Sequence, residues 1–247
     1  MILTEHLTKQ YGGLVAVNDL SLNIPQGQFF AFLGPNGAGK TTTIKLLAGL
    51  LKPTSGRALV GGYDIHKDPV EARKILSYIP DMPFLYDKLQ PMEFMVFVGQ
   101  LYDMERTEVA RASDELFEVF GLDEIRRQTI ENLSHGTRQR LVIAAALLHQ
   151  PRVIIIDEPM VGLDPRSARL VKNVLKQRSR DGVTVFLSTH VLPIAEELAD
   201  QVGILHRGKL VAVGTIDELR EVSGEKGELE DAFLALTRGA SATVEMP

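Results

Sequence analysis

The residues Gly34-Pro35-Asn36-Gly37-Ala38-Gly39-Lys40-Thr41-Thr42 fit the pattern G-x-x-x-x-G-K-[ST], with an apolar run before them and a helical pattern after. That strand-to-helix context gives the pattern its chemical meaning. Glycines let the backbone curl until successive N–H groups point inward at phosphate oxygens. The helix that follows adds the positive end of its dipole to the same anion. Lys40 supplies a mobile cation for the β- and γ-phosphates, and the Thr41 hydroxyl is the expected ligand of Mg²⁺. The dinucleotide fingerprint G-x-G-x-x-G is not met, because the glycines fall at 34, 37 and 39.

A second chemical feature closes another apolar run, Val153-Ile154-Ile155-Ile156, which ends in Asp157-Glu158-Pro159. A buried strand ending there places Asp157 at the carboxyl edge of a sheet, where open α/β folds bind ligands. Asp157 is the expected partner of Mg²⁺, directly or through its shell, and Glu158 is placed to polarise an attacking water. Together, loop and carboxylates predict a nucleoside triphosphatase. Three further pieces are ambiguous when read singly. In Leu133-Ser134-His135-Gly136-Thr137-Arg138-Gln139-Arg140, Ser134 suits the cap of the apolar helix that follows and leaves a second anion-binding helix start. Asp164-Pro165 suits another cap with proline at the first helical position, and Val185-Phe186-Leu187-Ser188-Thr189-His190 is a strand that ends in histidine.

These residues need a scaffold, and the pattern predicts an α/β one. Phe29-Phe30-Ala31-Phe32-Leu33 reads as a buried strand and residues 40–50 as a helix, stopped before Pro53. Residues 75–79, 153–156, 183–187 and 202–205 are short runs rich in β-branched side chains, hence further strands. Helical patterns over 91–102, 108–120 and 137–149, with Gly121 as a stop, predict an inserted α-helical subdomain at about 86–150 between two strands of one sheet. Leu229, Phe233 and Leu236 mark a short amphipathic helix, followed by a Gly/Ala/Ser tail expected to fray.

Composition bounds the rest. Hydrophobic residues at 45% and charged ones at 24% sit near globular averages, so the 247 residues can bury a substantial core. The apolar runs at 141–148 and 153–156 fall far short of the ~20 residues that span a bilayer, and Met1-Ile2-Leu3-Thr4-Glu5-His6 lacks the features of a secretory signal. The expectation is a cytoplasmic chain that reaches a membrane only through a partner. With no cysteine, disulfides and thiolate metal sites are excluded. A net charge of -5 offers no basic footprint, so no nucleic-acid partner is expected.

In order and spacing these pieces resemble the ATP-binding-cassette (ABC) transporter ATPases over roughly residues 1–222, with residues 223–247 as a short C-terminal helix and flexible tail. Residues 34–42 are similar to the Walker A loop and residues 153–158 to the Walker B strand. Residues 133–140 resemble the signature motif and residues 162–164 the D-loop, while His190 resembles the switch histidine. Tyr11 sits where the family places an aromatic ring on adenine. The resemblance implies a P-loop NTPase core, a mostly parallel sheet flanked by helices, with an N-terminal antiparallel β-subdomain. It implies ATP and Mg²⁺ as cofactors and two nucleotide-binding subunits, identical or closely homologous, paired head to tail. Ser134 and Gly136 would contact the γ-phosphate held by the partner's phosphate loop. Glu158 would be the base toward water, and His190 would bridge γ-phosphate, water and the partner's D-loop near Asp164. Closure on ATP and opening after hydrolysis would drive a separate transmembrane permease at the inner face of the cell membrane.

Two positions depart from the family's pattern. His135 stands where the signature's first glycine is usual, and Asp81, after Ser77-Tyr78-Ile79-Pro80, stands where a metal-sensing glutamine is usual. A carboxylate there can still hold a metal or its water. Both departures, with the tail Leu229-Glu230-Asp231-Ala232-Phe233-Leu234-Ala235-Leu236, resemble the bacterial ABC-2 type exporters. The permease is expected to dock near residues 81–97, where Met82, Phe84, Leu85 and Tyr86 cluster. Two other readings stay open: a soluble ATP-driven clamp on nucleic acid or ribosomes, and a regulatory, low-turnover half of a heterodimer.

Overall fold

A computed structural model describes residues 1–82, 84–223 and 229–242. The chain opens with the hairpin β1 (Ile2–Tyr11) and β2 (Leu14–Ile24), then β3 (Phe29–Leu33) and helix α1 (Lys40–Leu47). Next come β4 (Ser55–Val60), β5 (Tyr63–Asp64), α2 (Pro69–Lys74) and β6 (Leu76–Ile79). Helices α3 (Pro91–Leu101), α4 (Arg106–Phe120) and α5 (His135–Leu147) precede β7 (Val153–Asp157). After it run α6 (Pro165–Arg180), β8 (Thr184–Thr189), α7 (Leu192–Leu198), β9 (Gln201–His206), β10 (Lys209–Gly214), α8 (Ile216–Ser223) and α9 (Leu229–Ala242).

Two sheets result. The N-terminal one is antiparallel, in the order β2-β1-β4-β5, and the larger one runs β10-β9-β3-β8-β7-β6, parallel except for β10. The central strands β3, β7 and β8 are buried at every position, which is why they read as unbroken apolar runs rather than alternating ones. Parallel register then decides where the chemistry goes. Leu33 lies opposite Thr189, Ser188 opposite Asp157, and Ile156 opposite Ile79. The loops that carry Gly34, His190, Glu158 and Asp81 therefore leave the same edge of one sheet.

Helix α1 packs its Ile44 and Leu47 into the core between the two sheets, with Val17 and Leu20 of β2. Helices α3 to α5 form the insert between the neighbouring strands β6 and β7, and their Phe117, Phe120 and Ile143 share a core with Ile154 and Leu187. Arg140 of α5 donates to the Phe120 carbonyl at 2.6 Å, tying α5 to the end of α4.

The structure shifts some expected boundaries. Helix α1 stops at Leu47, not 50, because a Schellman motif closes it: Leu50 N donates to Lys45 O at 2.8 Å and Gly49 N, at φ +68, to Leu46 O at 3.1 Å. Helix α5 starts at His135, two residues before the expected start, because Ser134 caps it. Helix α9 takes in Gly239, Ala240, Ser241 and Ala242, the expected tail, while 243–247 lie outside the described residues. Its buried Leu229 shares a core with Ala195 and Leu219, and the half-buried Phe233 and Leu236 of the expected amphipathic face pack against it. Leu85 joins the core, whereas Met82, Phe84 and Tyr86 stay exposed.

Candidate nucleotide site

The loop after β3 turns on Gly37 and Gly39, at φ +80 and +107. Gly39 caps α1, and a Cβ there would sit 2.3 Å from the Ala16 carbonyl, so no larger residue fits beneath the β1–β2 hairpin. Lys40 is nearly buried and donates to the Gly34 carbonyl at 2.7 Å and the Pro35 carbonyl at 3.3 Å. Burial lowers its pKa, and the charges of Glu158 and Asp157 pull it back up. The ammonium is thus held by the loop's own carbonyls and kept charged by the nearby carboxylates.

Thr41 donates its hydroxyl to Asp157 Oδ2 at 3.1 Å. Burial raises the Asp157 pKa, the Ser188 and Thr41 hydroxyls lower it, and the charges of Glu158 and Asp81 raise it further. A buried carboxylate crowded by two others gains most from a cation. The Thr41 and Asp157 oxygens are hard donors of the kind Mg²⁺ takes, with phosphates and water filling its remaining positions, so the residues fit the ion. Tyr78 sits in the same negative field, and burial with the charges of Asp157 and Asp81 pushes it up to about 12.

Glu158 stands at φ +46 and accepts from the Thr189 hydroxyl at 3.0 Å, while its Oε1 lies 2.7 Å from His190 Nδ1. The neighbours β7 and β8 thus deliver an oriented carboxylate–imidazole pair to the rim of a cleft of about 680 Å³. The cleft brings together Asn36, Gly37, Gly39, Lys40, Thr41 and Thr42 with Asp81, Asp157, Glu158 and His190, and Tyr11 lines it as well. Gly34, Pro35 and Ala38 belong to the loop without lining the cleft; Ala38 is buried and its carbonyl accepts from Gly208 N at 2.8 Å.

Three residues read from the sequence lie elsewhere. Ser134 accepts from Thr137 N at 3.3 Å, so its hydroxyl caps α5. Gly136 follows in the first turn, and Asp164 caps α6, accepting from Arg166 N at 3.0 Å and Ser167 N at 3.1 Å. Hydrogen bonds from Ser167, side chain then backbone, hold the Asp164 carboxyl below the usual range. None of the three lines the cleft.

Sequence reasoning missed the wall of the cleft: Leu14, Val15, Ala16, Val161, Arg207 and Gly208. A signal for half of it was present. Gly12-Gly13 joins β1 to β2 as a two-residue hairpin loop, a pattern legible in sequence, and it folds Leu14 and Val15 back beside Tyr11. Arg207-Gly208 is another two-residue turn, between β9 and β10, with both residues at positive φ where only Gly12 of the first pair is, and arginine at its first position hides the signal.

A strand, phosphate loop and helix, with a Thr–Asp oxygen pair and an oriented glutamate at the same sheet edge, define a P-loop nucleoside triphosphatase. The family model described as ABC transporter matches residues 17–161, from within β2 through Val161. The linearmycin resistance ATP-binding protein of Bacillus subtilis is 37% identical over 89% of this chain and 70% of its own length. The solved structure of an ATP-binding subunit of an ABC transporter superposes with a TM-score of 0.90 at 32% identity, over 96% of this chain and 99% of that one. A dimeric ATP-binding cassette in a post-hydrolysis state, bound to ADP and Pi, gives 0.78 at 26% identity, over 87% and 98%. The chain belongs to the ABC transporter family, as a cassette that binds and hydrolyses ATP. Among the described residues no helix is long and apolar enough to cross a membrane.

Proposed function

We propose that this chain is the ATPase subunit of an exporter and works as a head-to-tail pair. The observation that carries the reading is a division of labour. One chain gathers the phosphate loop, Thr41–Asp157 and Glu158–His190 in a cleft, while Ser134 and Gly136 sit off it at an exposed helix start. Each ATP is held by one chain's residues 34–42, with its adenine on Tyr11, and is closed over by Ser134 and Gly136 of the second copy or a close homologue. Thr41, Asp157 and Asp81, directly or through water, would hold Mg²⁺, which when bound would supply positive charge to the phosphates. Glu158 orients a water and takes its proton as the water oxygen attacks the γ-phosphorus. The bond from that phosphorus to the bridging oxygen breaks and ADP leaves. Lys40 steadies the transferring group, and His190 holds Glu158 and reaches toward the γ-phosphate and the partner's Asp164. The name of the linearmycin resistance relative supports export as the direction. The exposed Met82, Phe84 and Tyr86 suit a separate permease, which would hold the chain at the inner membrane face.

The test is steady-state hydrolysis by wild type and Glu158→Gln, with light scattering to follow size. The rate should fall about 10²–10⁴-fold, the span a general base supplies, and the variant should dimerise in ATP. An unchanged rate would remove Glu158 from its role. Co-purification with a multi-pass membrane protein would support the permease, and exclusively soluble partners would count against it.

A further inference from the structure

His135 lies between the two residues assigned to the partner's nucleotide, yet its ring leans on its own chain. It crosses the loop between β7 and α6, with Nε2 3.4 Å from the Val161 carbonyl. Beneath the ring is Gly162, at φ +74, where a Cβ would stand 3.0 Å from Nε2 and 3.1 Å from Cδ2. A side chain at 162 would be strained at that φ and would make the ring give way by a few tenths of an ångström. One position on, Gly136 packs against the same loop, and a Cβ there would lie 3.6 Å from Leu163 and 3.7 Å from Asp164 Oδ2. This loop begins at Glu158, held by Thr189 and His190, and its Val161 lines the cleft beside Glu158.

The contact therefore joins the two parts of one chain that serve different nucleotides: the turn closes over the partner's ATP, and the loop carries the chain's own base. We propose that His135 is a positioning residue that couples the two ATP sites of the pair, an inference that rests on the head-to-tail reading. When ATP in the partner's cleft seats against Ser134 and Gly136, His135 fixes the Val161–Gly162 backbone and, through it, Glu158 in the chain's own cleft. Coupling of this kind appears as cooperativity, with a Hill coefficient no greater than the number of sites.

The test measures hydrolysis against ATP concentration for the whole chain as wild type, His135→Gly and His135→Gln. Each is also carried in a Glu158→Gln background and sized by light scattering in ATP. The wild type should show a Hill coefficient of about 1.5–2, below the two-site ceiling. In His135→Gly it should fall to about 1, the uncoupled limit, with the half-maximal ATP concentration within about twofold. His135→Gln, whose amide can donate to the Val161 carbonyl, should restore it. A non-cooperative wild type or unchanged cooperativity in His135→Gly overturns the coupling. So does a rise of about tenfold in half-maximal ATP (1.4 kcal/mol) with cooperativity kept, since His135 would then be a phosphate contact. A Glu158→Gln chain that stays monomeric in ATP overturns the pairing itself. Dimers that form in every variant with identical cooperativity sink only the coupling.

Discussion

The phosphate-loop cleft and the Ser134–Gly136 turn both open a helix, but they are built differently. The cleft is concave and assembled from four strand ends, with Asp157 and Lys40 withdrawn from solvent and hydrogen-bonded to Thr41 and to the loop carbonyls. The turn is an exposed cap, its serine engaged by Thr137 and its flank resting on the loop at 161–164. Buried, mutually perturbed charges need a ligand to relieve them, whereas an exposed cap is stable alone. The cleft therefore holds charges that a bound cation and anion would relieve, whereas the turn is satisfied as it stands.

The sharpest way to break that contrast is to disable the two regions in separate chains. Lys40→Ala should lower kcat about 10²–10³-fold, as loss of one preorganised donor to developing charge does. Ser134→Ala should lower it about 10–100-fold, matching a lost hydrogen bond to a charged group. Mixed in equal amounts, the two variants should recover up to about a quarter of wild-type activity, because about half of all pairs are then mixed and carry one intact composite site of two. A mixture as inactive as its parents would mean that turn and cleft never meet across an interface.

A smaller effect separates relief of those charges by a ligand from stability. The Asp157 pKa is raised in the fold, chiefly by burial, so the folded state holds that proton more tightly than the unfolded one. Its stability contribution is fullest below the ordinary carboxylate range and is lost as pH rises through the raised value. Nucleotide-free Asp157→Asn should therefore melt above wild type at pH 7, by about 2–4 °C if roughly 1 kcal/mol is relieved in a chain this long. The gap should close toward pH 4, and Mg²⁺-dependent hydrolysis should be lost. A variant that melts lower at pH 7 would show that the carboxylate is stabilising as it stands. The smallest effect belongs to the turn: Ser134→Ala should cost about 1 kcal/mol in urea unfolding, an ordinary cap, with no pH dependence.

Much of the cleft was legible because its chemistry is local. The loop at 34–42 needs consecutive residues, and an unbroken apolar run announces a strand buried on both faces, so Asp157 and Glu158 could be placed at its exit. The hairpin wall was legible in principle from Gly12-Gly13, but a four-stranded sheet that swings it over the phosphate loop is a long-range matter. Helix ends went astray where a capping residue acts one to three positions away, as Gly49 and Ser134 do.

By itself the sequence determined the class of chemistry, since phosphate binding, metal-ligating oxygens and a candidate base follow from residue types over a few positions. It also determined the alternation of strands and helices that must carry them. Only the tertiary structure decided which residues share a site. Parallel register aligned Leu33, Thr189, Asp157 and Ile79 along one edge and paired Glu158 with His190, while Ser134 and Gly136 were left outside. It also laid the exposed His135 ring against the Val161 carbonyl. The physical reason is range: loop and cap chemistry is set by neighbours in the chain, whereas strand order and packing depend on contacts between residues more than a hundred positions apart, such as Thr41 and Asp157.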